Sequence, residues 1–323
     1  ATPGTTTPAD TPKATRDKTL TLRLGTNHST GTAVALACQK FADLVNEKTG
    51  GGIKIEVYTD GVLGNETALR DACATGTVEI VALGAGVLGA YTGAANLPVS
   101  NYVWESEEQM MEVLLGELGK KYINDPVEQA AGIHVIYGWP QASRQLLTTK
   151  PVNSLADLRG MKIRVPAGNK LYVDTWDSYG AISQALSMNE VYTALEHGAI
   201  DGLEMPIDSL YTGGYHEVAK YLTLTNHMWY LQYIMINSNT WKSLSAEEQE
   251  ILVEACKEAE KYHTELRDAN IAEMVDKMKA AGVTVTEIDT TEWREATKAV
   301  NEMWMDTWGR EVYDAFTNSK SGS

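Results

Sequence analysis

LTLRLGTNHSTGTAVALACQKFADLVNEKTGGGIKIEVY, residues 20–58, decides the fold. LTLRL (20–24) and IKIEVY (53–58) are short β-type runs. Between them Val34, Ala37, Cys38, Phe41, Leu44 and Val45 recur at helical spacing until Gly50 stops the helix. The stretch therefore reads as a strand, a crossover helix and a second strand. The alternation continues through ETALRDACATG (66–76) as a helix, VEIVAL (78–83) as a strand, a helical stretch over 106–131 and the apolar run IHVIY (133–137). Alternation of this kind predicts an α/β fold with a mainly parallel sheet and helices on both faces.

A second unit begins at Arg144. QLLTT (145–149) and MKIRV (161–165) read as strands, 169–179 and 190–197 as helices, and DGLEM (201–205) as a further strand. A chain of 323 residues is long enough for two lobes, each with its own core. Ser245 and Glu248 have capping-box spacing, and helix-forming residues then run to about Lys279 without Pro or Gly. A helix of that length would be about 52 Å long, more than the width of one lobe, and should span both. Two helices broken by a bend are the alternative.

Arg144, in SRQLLTTKPV, and Arg164, in GMKIRVP, both fall at or beside strand ends of the second unit, where ligands sit in open α/β sheets. A guanidinium is always charged and its planar fork matches a carboxylate, so the pair reads as a clamp for a small organic acid. The net charge of −16 argues against nucleic acid and anionic membrane surfaces as partners. It does not exclude an acidic ligand, because distant surface charges are screened beyond roughly 10 Å. Cys38, Cys73 and Cys256 are widely spaced with no CxxC pattern, which suggests small core residues and neither a disulfide framework nor a zinc site. No GxSxG, HExxH, GxxxxGK[ST] or strand-borne GxGxxG occurs, so an enzyme reading has no residue to stand on, and no cofactor or metal is expected.

Several ordered blocks together carry a family resemblance. They are residues 22–51, DGVLGNETALRDACATGTVEI (60–80), SRQLLTTKPVNSLADLRGMKIRVP (143–166), NEVYTALEHGAIDGLE (189–204), YHEVAKYLTLTNH (215–227) and the long helix after LSAEEQE. The chain resembles, over about residues 20–310, the extracytoplasmic solute-binding proteins of TRAP transporters, the DctP-type family. That resemblance implies a two-lobed periplasmic-binding-protein-like fold in which a long helix backs two lobes that close on the ligand by hinge bending. It also implies an extracytoplasmic protein, working as a monomer, that captures a small organic acid and delivers it to TRAP membrane subunits. A ligand-binding sensor, a component of another transporter type and a cleft enzyme are the alternatives.

Carried over residue by residue, the resemblance gives Arg164 the ligand carboxylate and Arg144 a second contact. Asn27 and Glu66 become polar contacts from the first lobe, although each could instead cap a nearby helix. Glu190 and Tyr192 fit the pattern, and His28 and His227 could edge the cleft or be structural. Glu204, Met205 and Pro206 stand where sialic-acid and uronate binders have Glu-Asn-Pro, which replaces an amide with a thioether and makes the pocket less polar. Met188 lies near a position where an aromatic is common, and Gly84 and Val87 occupy a stretch that carries charges in sialic-acid binders. Trp139, Trp104, Tyr102, Trp176 and Trp229 are either stacking faces or core residues. Together these departures favour a compact or aromatic acid over a nine-carbon sugar acid.

The expected division is a disordered linker over 1–17, lobe I over 18–141 with 231–270, lobe II over 142–230 with 271–310, and a tail over 311–323. Residues 1–17 are rich in Thr, Pro and Ala with no large apolar side chain, so they cannot form a core. Such a segment suits a mature exported chain and a lipid-anchored form, although the Cys that lipidation would need is not in the sequence.

Overall fold

The computed structural model describes residues 15–319. Among them nine strands form one sheet: β1 (Leu20–Thr26), β2 (Ile53–Tyr58), β3 (Ile80–Gly84), β4 (Ile133–Thr148), β5 (Lys162–Pro166), β6 (Ile182–Leu186), β7 (Gly202–Pro206), β8 (Tyr221–Asn237) and β9 (Thr284–Glu287). Their order is β2-β1-β3-β8-β4-β7-β5-β6, with β9 against β8. The opening sequence folds as read, since β1 and β2 are parallel and the helix Ala33–Lys48 crosses between them with Phe41 and Val45 fully buried.

The parallel expectation holds at the two ends and fails in the middle. β1 pairs in parallel with β2 and β3, and β5 with β6 and β7, but β3–β8, β8–β4 and β4–β7 are antiparallel. IHVIY and QLLTT, read as separate strands, are the two ends of the single 16-residue β4. Gly138 and Pro140 hide its continuity, because glycine and proline ordinarily interrupt a strand pattern. The ladder with β8 absorbs the irregularity by register shifts between Val135 and Tyr137 and on both sides of Arg144. Breaks of this kind re-aim side chains, and here they turn Arg144 toward the interior.

β4 and the 17-residue β8 run through both halves of the molecule, so the lobes share their two longest strands. One core gathers Leu22, Phe41, Ile53, Trp139, Ile234 and Leu252, and another gathers Leu147, Leu203, Met205, Leu222 and Met278. A third, on the opposite face, joins Leu69, Leu83 and Trp104 to Ile163, Trp176 and Trp293. The long helix is continuous over Ala246–Ala280 with its Ser245/Glu248 capping box formed. It buries Leu252 and Cys256 in the first core and Met278 in the second, and so spans both lobes. Cys38, Cys73 and Cys256 are buried free thiols.

Two segment boundaries differ from expectation. Thr15 and Arg16, expected in the linker, are tied to the fold: the Thr15 N–H donates to the Thr49 carbonyl at 3.0 Å and Arg16 pairs with Glu248 at 2.6 Å; residues 1–14 lie outside the described ones. The tail expected from 311 is instead the helix Arg310–Thr317, whose Val312 and Phe316 share one face. Phe316 is fully buried, its ring stacked 5.9 Å from Trp104, so this helix packs against lobe I. Residues 320–323 lie outside the described ones.

Candidate ligand-binding site

The carboxyl ends of β1, β5 and β7 converge on a cavity of about 440 Å³ between the two halves. It collects Asn27, His28, Glu66, Arg144, Arg164, Met188 and Met205 from across the sequence. Convergence at strand ends is the rule for open α/β sheets, because the backbone there leaves the ladder and turns into helices whose first residues face the crevice. Glu66 is such a residue. It opens the helix Glu66–Thr75, and its neighbour Asn65 provides the cap, accepting from Ala68 N–H at 3.0 Å. Glu66 is thus free of the capping role, as is Asn27. Past Asn27, Glu66 and Met188 the cavity widens into an outer hollow that reaches Asp60, Asn189 and Tyr192.

The two arginines have different partners. Arg144 is clamped to Glu204: Nε donates to Oε2, and Nη2 donates to Oε1 at 2.9 Å and to the backbone carbonyl at 2.8 Å. Arg164 finds no carboxylate among its hydrogen-bond partners, since Nε and Nη2 both donate to the Leu186 carbonyl, at 3.0 and 2.8 Å. Both arginines are only 4 % exposed. Burial holds the Arg164 guanidinium below its ordinary range, whereas the Glu204 charge overcomes burial and raises Arg144. An always-charged group that is desolvated without a contacting counter-charge is a costly arrangement, and it makes Arg164 the cation that an incoming anion would neutralise.

Glu204 is a correction to the expected site. It is fully buried behind Arg144 and does not line the cavity. Burial pushes its carboxyl up, but Arg144 and His227 outweigh burial and hold it at about 2. His227 Nε2 lies 3.1 Å from Glu204 Oε2, and Nδ1 lies 2.7 Å from Thr225 Oγ1. Those partners fit a neutral ring that donates through Nε2 and accepts from the threonine hydroxyl. Trp139 is the second correction. It is fully buried in the first core, its Nε1 donates to the Cys256 carbonyl at 3.0 Å, and it stacks on His263. Trp104 donates to the Pro98 carbonyl, Trp176 packs on Trp293, and Trp229 borders a separate hollow beside Arg267. An indole donor can be satisfied by a backbone carbonyl inside the core, which removes the reason to place it at a cleft.

His28 does line the cavity, with Nε2 3.3 Å from Gln232 Oε1; burial pushes it down to about 4, which keeps it neutral. Burial pushes the Glu66 carboxyl up, opposed by Arg164 and by the Gly84 N–H. Asn27 Oδ1 is buried with no hydrogen-bond partner, a ready acceptor on the cavity wall. Glu190 closes a capping box with Ser187, and Tyr192 borders only the outer hollow. Gln141, Ser209, Tyr230, Pro166 and Pro206 complete the lining and were not anticipated. The two prolines follow Arg164 and Met205 closely enough in sequence to have been inferred, but nothing local marks Gln141, Ser209 or Tyr230. They come together only through the β4–β8 crossing and the helix after β7. Among the described residues no cluster of His, Cys, Asp and Glu could hold a metal ion, and no helix is long and apolar enough to cross a membrane.

Comparison with known proteins agrees with this geometry. Residues 24–307 match the family described as bacterial extracellular solute-binding protein, family 7. A solute-binding protein of Roseobacter denitrificans is 33% identical over 279 residues, covering 86% of this chain and 85% of the relative. The 2,3-diketo-L-gulonate-binding periplasmic protein YiaO of Escherichia coli is 30% identical over 91% of this chain and 86% of its own length. Among solved structures, a TRAP periplasmic solute-binding protein of Roseobacter denitrificans with bound L-galactonate superposes with TM-score 0.85 and 30% identity, over 92% of this chain and 97% of that one. A second from the same organism, with bound β-D-glucuronate, gives TM-score 0.89 and 29% identity over 93% of this chain and all of the other. The cavity with its buried arginines therefore sits in the two-lobed fold of a known group, and this chain belongs to the bacterial extracellular solute-binding proteins of family 7, the extracytoplasmic binding proteins of TRAP transporters.

Proposed function

We propose that this chain captures a six-carbon monocarboxylic sugar acid, a uronate or aldonate, and passes it unchanged to TRAP membrane subunits. The observation that carries the reading is the Arg164 guanidinium, buried on the cavity wall with only the Leu186 carbonyl for a partner. A ligand carboxylate supplies the missing counter-charge. Arg144 is already neutralised by Glu204, so the site offers one uncommitted cation and favours a monoanion over a dicarboxylate. Asn27 Oδ1, Gln141 and Ser209 offer partners to ligand hydroxyls, while Met188, Met205 and Pro206 face its C–H edges.

The relatives with bound L-galactonate and β-D-glucuronate support the sugar-acid class. With Trp139, Trp104 and Trp176 in the core, little favours an aromatic ligand. The lobes, 18–141 with 231–270 and 142–230 with 271–310, close around the acid by bending β4 and β8 where their register breaks beside Arg144.

Isothermal calorimetry of the purified protein with D-glucuronate, D-galacturonate and L-galactonate, against succinate, tests the reading. Binding of at least one of the three sugar acids at micromolar or tighter affinity is expected, with succinate at least tenfold weaker. Preference for succinate would overturn it.

A further inference from the structure

Two cavities meet at Tyr230. The front one holds Arg164, Asn27 and Met205, and a smaller rear one holds Thr67, Arg70, Val87 and Asn169. Tyr230, Glu66 and Pro166 line both and so form their common wall. The Tyr230 ring lies 5.0 Å from the Arg144 guanidinium carbon, and Tyr172, on the rear side, lies 5.9 Å from it.

What lets Tyr230 stand there is a residue on another strand. A Cβ at Gly84 would lie 1.4 Å from the Tyr230 hydroxyl oxygen and 2.4 Å from Cζ, so the hydroxyl occupies the space that any other residue at 84 would fill. Backbone conformation does not call for glycine there, since φ is −63° and ψ 147°. Glycine at 84 is therefore explained by the tyrosine it seats. Gly86 leaves milder room for Tyr172, since a Cβ there would fall 3.0 Å from that hydroxyl, tight but not overlapping.

We propose that Tyr230, seated on Gly84, is the partition that closes the inner end of the ligand site, so that removing its ring joins the small rear compartment to the front one and admits a longer acid than the intact site holds. This rests on the sugar-acid reading of the Arg164 site. With the acid's carboxylate end at Arg164, a ligand chain directed inward meets the Tyr230 ring, while the outer hollow opens past Asn27, Glu66 and Met188. Beyond that ring Thr67 and Asn169 provide polar lining, and Arg70 is already paired with Asp71. The rear compartment thus suits an uncharged polar tail rather than a second anion.

Calorimetry with D-glucuronate and N-acetylneuraminate on wild type, Tyr230→Ala, Gly84→Ala and the double variant tests the partition, with thermal melts checking that each is folded. Tyr230→Ala is expected to move the ratio of the two affinities at least tenfold toward the nine-carbon acid; an unchanged ratio would overturn the proposal. Gly84→Ala keeps an allowed backbone but drives the ring into the front cavity, so it is expected to weaken D-glucuronate at least tenfold. In the Tyr230→Ala background the same change is expected to cost less than threefold, because the clash is gone. Binding by Gly84→Ala within threefold of wild type would also refute it. Arg164→Ala separates the two readings. If it leaves wild-type affinity for the acids intact, the site reading fails and the partition with it, whereas loss of binding there beside an unmoved length ratio removes the partition alone.

Discussion

Arg144 and Glu204 form a buried ion pair in which the carboxylate takes Nε and Nη2 together, leaving Arg164 as the guanidinium available to a ligand. Two arginines that look equivalent in sequence thus divide into one that is paired within the fold and one that lines the cavity without a carboxylate partner. The pairing sits at the register break of β4, where Arg144 opposes Pro206 on β7 and Met228 on β8, so it ties three strands at the crossing between lobes.

Arg144→Ala should act first on stability. It leaves the Glu204 carboxylate buried, with only the neutral His227 ring beside it. Removing one partner of a buried pair costs about 3–5 kcal/mol, whereas replacing both by apolar residues of similar volume is often neutral. Urea denaturation is expected to show that loss for Arg144→Ala and most of it regained in Arg144→Met/Glu204→Leu. A single variant as stable as wild type would show that the pair carries no such penalty.

Arg164→Ala should act on binding. It removes the only uncommitted guanidinium on the cavity wall and leaves a desolvated ligand carboxylate unpaired, a loss of about 2–5 kcal/mol. Arg164→Lys should recover part of this, since an ammonium supplies charge but not the fork. Calorimetry with the preferred acid decides the matter: affinity of Arg164→Ala within threefold of the parent would remove the anion contact.

The local patterns were legible and the crossings were not. The β1–helix–β2 unit and the capped 35-residue helix follow from periodicity and capping chemistry, which act over a few residues; of the residues lining the cavity, Arg164 reads from its strand end, and Asn27 and Glu66 only through the family resemblance. β4 reads as two strands in sequence because Gly138 and Pro140 mimic a strand boundary, and only long-range pairing with β8 overrides that signal. Glu204 enters the expected site through the family's Glu-Asn-Pro pattern, but alternation along β7 turns it away and leaves Met205 on the cavity wall. Trp139 lies in the core because a backbone carbonyl 117 residues away satisfies its indole, which no local pattern announces. The terminal helix was missed although Val312 and Phe316 lie four residues apart, because the run is too short for periodicity to stand out.

Acid should destabilise the fold in two stages. His28 is held at about 4 and His263 at about 3 by burial, against about 6.5 for a free histidine. With folded values depressed, the unfolded chain binds these protons first. Their contribution to stability is therefore complete above pH 6.5 and falls as pH drops toward 4, by about 1.4 kcal/mol per pH unit for each proton. Glu204, held at about 2 against about 4.5, adds a second loss as pH falls from 4.5 to 2. Urea midpoints at pH 7, 5.5 and 4.5 should decline steadily, and less steeply in His28→Gln. A flat profile over that range would contradict neutral buried histidines.

Met205 is the test of ligand polarity. Its side chain, 2 % exposed, reaches the cavity from β7 one residue beyond Glu204 and opposite Gln145 on β4. A thioether is only a weak acceptor and offers no donor, so a ligand hydroxyl pointing at it goes unpaired, at about 1–3 kcal/mol. Natural ligands should therefore turn a C–H edge toward β7. Met205→Asn adds an amide at that wall, and it should strengthen those sugar acids whose epimeric hydroxyl points toward β7 while weakening the preferred acid, which loses its apolar contact. Calorimetry over matched epimers, D-glucuronate with D-galacturonate and D-gluconate with D-galactonate, reads this as a change of rank order. The same order and spacing of affinities before and after the substitution would mean that residue 205 does not touch the ligand.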